Sequence, residues 1–276
     1  MQTYMLRDGL KLPQIGFGTY QLNGNVGANA IVAALNNGYR LLDTAYNYEN
    51  EGTVGAALRR SGVPRDQVLI TSKLPGRYYQ TQAAIETIQE SLYRTGLDYF
   101  DLYLLHWPNP RRDQYVTAWE ALIEAKKFGL VRSIGVCNFL PEHLERLAKE
   151  TSESPVINQI ELHPYFNQQA QREYHQAHQI LTEAWSPLGR ASVMLQDPLL
   201  QQLAAKYHKN VGQLILRWEL QLGTLPIPKS ATPSRQKGNL DVFDFEILPT
   251  DMTAIASLTR ADGRTTQQDP AVYEEF

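Results

Sequence analysis

Eight short apolar runs, separated by stretches of helical periodicity, restrict this chain to a small set of folds. They lie at Ile15 to Gly18, Leu41 to Asp43, Val68 to Lys73, Leu102 to His106, Ser133 to Cys137, Val156 to Gln159, Ile180 to Trp185 and Thr224 to Ile227. Helical patterns fill the gaps at Ala28 to Asn36, Gly52 to Arg60, Gln82 to Thr95, Ala118 to Phe128, Pro141 to Lys149 and Gln168 to His178. Strands of a parallel sheet read as near-continuous apolar runs because helices cover both of its faces. Eight of them alternating with helices in 276 residues predict an α/β fold, a (β/α)8 TIM barrel, with a doubly wound sheet as the alternative.

Two elements fall outside that alternation. Strand-forming residues on either side of Asp8-Gly9 predict an N-terminal β-hairpin over about residues 3 to 13. Helical stretches at Leu199 to His208 and Val211 to Leu222 both precede the eighth strand, and another at Asp251 to Leu258 follows it, so two extra helices are expected. No linker or low-complexity run divides the chain, which points to one domain over residues 1 to 276.

Composition then excludes classes of partner. A net charge of -3, with basic pairs such as Arg59-Arg60 and Lys126-Lys127 set among acidic or apolar residues, offers nothing to nucleic acid or anionic membrane. Cys137 is the only cysteine, so an intrachain disulfide is impossible. The first residues carry Arg7, Asp8 and Lys11 and lack the apolar core of a signal peptide, and no run approaches the ~18 apolar residues of a membrane span. A cytoplasmic protein is the expectation.

Three consecutive apolar runs each end at a polar group: Asp43, with Tyr48 five residues on, then Lys73, then His106. An ionisable side chain just past a buried strand is costly unless something uses it, and ligands of parallel α/β folds collect at the carboxyl ends of strands. Each residue alone has a plain reading: one of fifteen tyrosines, half of an ion pair, a core histidine. Together they suggest carbonyl reduction. An adjacent ammonium lowers a phenol's pKa, so Lys73 is expected to activate Tyr48 as proton donor while Asp43 orients Lys73. His106 then donates to the substrate oxygen. None of the four supplies a hydride, so a cofactor site is required.

These residues resemble the aldo-keto reductase family over almost the whole chain. Gly38 to Ala45 with Tyr48 and Asn50-Glu51, then Val131 to Phe139, then Ile227 to Ser230 with Arg235 and Asn239, are similar to three family motifs in order. The bacterial 2,5-diketo-gluconate reductase branch is the most similar part of that family. The resemblance implies that Asp43, Tyr48, Lys73 and His106 form a catalytic tetrad, that NADPH is the cofactor, and that the protein is a monomer.

A dinucleotide loop of the usual kind is absent, because Gly16-Phe17-Gly18-Thr19-Tyr20-Gln21 lacks the third glycine. Barrels often bind phosphate after the seventh and eighth strands instead, and Lys229, Ser230 and Arg235 stand there. By the resemblance these three clamp the 2′-phosphate of NADPH, and Asn239 meets the adenine, although Gly238 replaces a glutamate found in many relatives. Asn138 and Gln159 are expected to hold the nicotinamide carboxamide beside Cys137, Trp185 to stack on the ring, and Ser186, Leu188 and Gly189 to line the pyrophosphate.

Tyr20, Tyr46 and Trp107 are expected as aromatic walls of the substrate pocket, and Arg77 as a partner for a substrate carboxylate. A short loop after Trp107 suits small or polar carbonyl compounds, such as 2,5-diketo-gluconate or dicarbonyls like methylglyoxal. Rival readings are a non-catalytic NADPH-binding subunit, a sugar-phosphate isomerase using the Lys229 to Arg235 cluster, and a metal enzyme using His175 and His178. No cysteine or carboxylate pattern completes a zinc set around those histidines, so no metal is expected.

Overall fold

A computed structural model describes residues 2–275. Strands β1 (Thr3–Met5) and β2 (Lys11–Pro13) form an antiparallel hairpin with Thr3 opposite Pro13, and Gly9 takes the turn at φ +93°. One parallel sheet then runs in sequence order through β3 (Phe17–Gly18), β4 (Leu41–Asp43), β5 (Leu69–Leu74), β6 (Phe100–Leu105), β7 (Val131–Cys137), β8 (Ile157–Glu161), β9 (Leu181–Trp185) and β10 (Leu225–Pro226). Between them lie α1 (Gly24–Asn37), α2 (Glu51–Ser61), α3 (Thr81–Thr95), α4 (Tyr115–Lys127), α5 (Pro141–Glu150) and α6 (Gln169–Ala177). Both α7 (Pro198–Lys206) and α8 (Val211–Gln221) precede β10, while α9 (Pro233–Leu240) and α10 (Pro249–Ala256) follow it. This is an α/β fold of TIM type, with α7 and α10 outside the simple alternation.

The sheet curls until its two edges meet. Gly16 N–H donates to the Pro226 carbonyl at 3.0 Å and Gly18 N–H to the Pro228 carbonyl at 3.2 Å. Close approach here requires glycine, since a Cβ on Gly16 would stand 2.8 Å from Ile227 Cγ2 and one on Gly18 3.0 Å from the Ile227 carbonyl oxygen. The Gly-Phe-Gly run therefore serves strand packing.

Strand alternation sorts the side chains into two sets. Leu42, Ile70, Tyr103 and Leu105 pack outward with the helices in one large cluster. Leu41, Leu102, Leu104, Cys137, Ile157 and Leu225 turn inward and pack with Leu6 and Leu12 of the hairpin, which covers that end of the interior. Truncating one of these inner leucines to alanine costs roughly 2–5 kcal/mol. Asp43, Gln159 and Glu183 have the parity of Leu41, Ile157 and Leu181, so they also point inward.

Most strand ends differ from the sequence reading by one or two residues, and one helix is absent from it. The strand read as ending at Gln159 continues to Glu161, because its ladder with β9 runs on through Ile160–Ala184 and Glu161–Trp185; Glu161 Oε1 is satisfied there by His163 Nε2 at 3.0 Å and by the Thr265 N–H and hydroxyl at 2.7 Å each. After β10, α9 forms over Pro233–Leu240 despite Gly238 and Pro233. Proline is tolerated at the first turn, where its missing N–H is not needed.

Candidate active site

Asp43 closes β4, and Lys73 lies on the adjacent strand β5. The Lys73 ammonium donates to both Asp43 oxygens at 2.7 and 2.8 Å and to the Thr44 carbonyl at 2.9 Å, and reaches Tyr48 Oη at 3.4 Å. Tyr48 is carried there by a single 3₁₀ turn, Tyr46–Tyr48, ended by Glu49 in the left-handed region at φ +53°. Lys73 is fully buried and Asp43 nearly so. Burial alone would lower the Lys73 pKa, yet the Asp43 carboxylate, with smaller help from Tyr48 and Cys137, holds the ammonium above its ordinary value.

The phenol behaves differently from expectation. Enclosure pushes Tyr48 above its usual pKa, and the lowering by Lys73 is present but outweighed. The phenol therefore stays protonated at neutral pH, as a proton donor must. Its ring packs edge-on against Tyr20 at 5.0 Å and His106 at 5.9 Å between centroids.

Behind this pair lies a buried chain of polar groups. Gln159 Nε2 donates at 2.8 Å to Asp43 Oδ1 and at 2.8 Å to Glu183 Oε2. Burial, and then the Asp43 charge, push the Glu183 carboxyl up to about 8. With its amide nitrogen so engaged, Gln159 has its Oε1 left for a ligand.

His106 follows β6, its N–H bonded to the Leu74 carbonyl at 3.0 Å, and its Nδ1 stands 2.7 Å from Glu275 Oε1. Asn138 follows β7 at φ +61°; its Nδ2 donates to the His106 carbonyl at 3.1 Å, and its Oδ1 accepts from Trp185 Nε1 at 2.8 Å. Trp107 is buried against Tyr273 with ring centroids 4.5 Å apart.

A cavity of about 1290 Å³ runs from these groups to the start of α9. One end is lined by Tyr20, Asp43, Tyr48, His106, Trp107 and Gln159. Asn138, Trp185, Ser186 and Leu188 line the middle, and Lys229, Ser230, Arg235 and Asn239 the far end. Lys229 and Arg235 are exposed there, while Ser230 and Asn239 are nearly buried. Ser230 Oγ accepts from the Thr232 N–H at 3.1 Å and turns the chain into α9. A Cβ on Gly238 would meet no atom within 4 Å, so this end of the cavity is open.

Four expected residues lie off the cavity wall, and so does Arg77. Lys73 lies behind Asp43 and Tyr48, and Cys137 is fully buried, its thiol pKa driven well up by burial. Gly189 turns back through its N–H to the Ser186 carbonyl at 2.8 Å. Tyr46 turns away and accepts from Arg94 at 2.8 Å, so it forms no wall. Arg77 lies over the rings of Tyr78 and Tyr46 at 4.8 and 5.6 Å and does not line the cavity. His175 is buried against Asn158 and Thr182, while His178 stacks on Tyr174 outside.

Sequence reasoning missed Glu183, Asn47, Arg190 and the returning segment that brings Gln268, Tyr273 and Glu275 to the cavity. The parity of Glu183 in Leu181-Thr182-Glu183-Ala184-Trp185 carried a signal. Nothing local marks Glu275.

The geometry defines a parallel α/β fold with a buried lysine–carboxylate pair under a cavity-facing tyrosine. The model of the aldo/keto reductase family matches residues 14–260, and the chain belongs to that family. It is 50% identical over 274 residues to the 2,5-diketo-D-gluconic acid reductase B of Corynebacterium sp. (strain SHS752001), covering 99% of this chain and 98% of that one. It is 44% identical over 266 residues to the methylglyoxal reductase DkgA of Escherichia coli (strain K12), covering 96% and 95%. A crystal structure of a mutant of Gox0644 in complex with NADPH superposes with a TM-score of 0.94 at 41% identity, over 99% of this chain and 98% of that one.

Proposed function

We propose that this chain is an NADPH-dependent reductase of small, polar carbonyl compounds, built as one closed (β/α)8 barrel domain with its N-terminal hairpin and two extra helices. The observation that carries the reading is Tyr48 Oη, 3.4 Å from the Lys73 ammonium, facing a cavity whose far end holds Lys229, Ser230 and Arg235. The residues fit the cofactor. An extended cavity has cations and a helix start at one end for a phosphate, and Gln159 Oε1 with Asn138 at the other for an amide. NADPH, when bound, supplies the hydride.

The chain's own groups handle the oxygen. Tyr48 gives its proton to the carbonyl oxygen as negative charge develops there, and the buried Lys73 ammonium stabilises the phenolate left behind. Asp43 keeps Lys73 charged and fixed, and His106 donates a hydrogen bond to the same oxygen. Trp107 and Tyr20 wall the substrate end. The relatives' names support 2,5-diketo-gluconate and methylglyoxal as the first substrates to try.

Loss of NADPH absorbance with a panel of aldehydes, ketoses and dicarbonyls tests this reading. Turnover of at least one small dicarbonyl is expected, with NADH much the poorer reductant. Tight NADPH binding with no turnover of any carbonyl would overturn the catalytic assignment.

A further inference from the structure

The segment after α10 returns to the cavity wall and brings there the Glu275 side-chain carboxylate, held from three directions. Asn109 grips the Glu275 backbone both ways, its Oδ1 accepting from the Glu275 N–H at 3.1 Å and its Nδ2 donating to the Glu275 carbonyl at 2.8 Å. The Glu275 carboxylate accepts from Asn47 Nδ2 at 2.7 Å through Oε1 and from the Gly76 N–H at 3.2 Å through Oε2. Gly76 is needed for this packing, because a Cβ there would fall 2.0 Å from Asn109 Nδ2. Loops after β4, β5 and β6 thus converge on one residue, only 6% exposed.

The same Oε1 stands 2.7 Å from His106 Nδ1. A bare ring nitrogen and a carboxylate oxygen repel at that distance, so Nδ1 carries a proton. The oxygen lies off the Nδ1–H axis, so the contact is close without being an aligned hydrogen bond. Burial opposes ionisation of Glu275, but His106, the Gly76 N–H and Asn47 together hold its carboxyl below the usual range.

A neutral ring has only one N–H, and which nitrogen bears it is set by the partner of the other. With Nδ1 protonated against Glu275, Nε2 donates to a substrate oxygen only when the ring is doubly protonated. We infer that Glu275 is a positioning residue for His106, which orients the ring and supplies the charge that lets Nε2 act as a donor at the substrate carbonyl. The inference rests on the reductase reading for the role of His106, whereas the Glu275–His106 contact stands apart from it.

The test compares Glu275→Gln and Glu275→Asp with wild type. Glutamine keeps an acceptor and removes the charge; aspartate keeps the charge. With an aldehyde and NADPH, kcat of Glu275→Gln is expected to fall roughly ten-fold, less than the ~10²–10⁴-fold of a group that itself transfers the proton. Glu275→Asp recovers part of that loss, and the Kd for NADPH is unchanged in both. Wild-type kcat in a Glu275→Gln variant that binds NADPH normally would overturn the inference. Should the variants not fold, ¹⁵N spectra of the wild-type histidine rings decide, with His106→Gln giving the assignment: Nδ1 of His106 is expected to be protonated, and a neutral ring with Nδ1 bare contradicts it. A wild-type protein that reduces no carbonyl defeats the reductase reading, and the spectra still report on the contact.

Discussion

Lys73 and Asp43 form a buried two-pronged ion pair, with Nζ 2.7 and 2.8 Å from the two carboxylate oxygens. Removing one partner of a buried pair leaves an uncompensated charge and costs about 3–5 kcal/mol, whereas replacing both with apolar groups is often neutral. Lys73→Met is therefore expected to lower the urea midpoint sharply, and Lys73→Met/Asp43→Leu to recover much of it. Neither variant should regain turnover. A Lys73→Met protein as stable as wild type would show that the charge left on Asp43 is compensated by other groups.

The exposed cations at the start of α9 make a prediction about cofactor choice. Arg235→Ala removes a charge-assisted contact, worth about 1.5–3 kcal/mol, so NADPH should bind roughly ten- to a hundred-fold more weakly. Binding of NADH, which lacks the 2′-phosphate, should hardly change, and kcat at saturating NADPH should stay near wild type. Fluorescence titration with both nucleotides reads this out; equal weakening of the two would remove Arg235 from the phosphate site.

Glu183 gives a pH dependence of stability with a definite sign. Its carboxyl is raised in the folded chain from an ordinary 4.5 to about 8 by burial and the nearby Asp43 charge. Between those values the folded chain holds a proton that the unfolded chain has lost, so this contribution is full below about pH 4.5 and is lost as the pH rises through about 8. Glu183→Gln keeps an acceptor for Gln159 and cannot ionise. Its Tm should fall less than that of wild type between about pH 5 and about pH 9. Parallel curves for the two proteins would contradict the assignment.

The strands and most helices were legible because their signals are local. Apolar runs bounded by turns mark β4 to β9, and the polar residues that close three of them, Asp43, Lys73 and His106, come together beside the cavity. Asp43, Lys73 and His106 were readable for that reason. The misplacement of Tyr46 has a physical cause, since it shares a 3₁₀ turn with Tyr48 and successive residues there face different ways: Tyr48 meets Lys73 while Tyr46 meets Arg94. Tyr48's raised pKa was missed because spacing announces the neighbouring ammonium but not the depth of enclosure.

Glu275 shows the larger limit. It lies 169 residues from His106 in the chain, in a polar segment without periodicity, and its place is fixed by Asn109, Asn47 and Gly76 together. A contact of that kind has no local sequence signal. Gln159 is intermediate: its strand parity was readable, but the capture of its amide nitrogen by Asp43 and Glu183 was not.

The central claim is that Tyr48 hands its proton to the substrate oxygen beside Lys73. Tyr48→Phe keeps the ring packed against Tyr20 and His106 and deletes only the hydroxyl. Steady-state reduction of methylglyoxal with NADPH is the most direct measurement, taken alongside the Kd for NADPH. For Tyr48→Phe, kcat is expected to fall about 10²–10⁴-fold with the Kd unchanged; undiminished turnover would rule out proton donation by Tyr48.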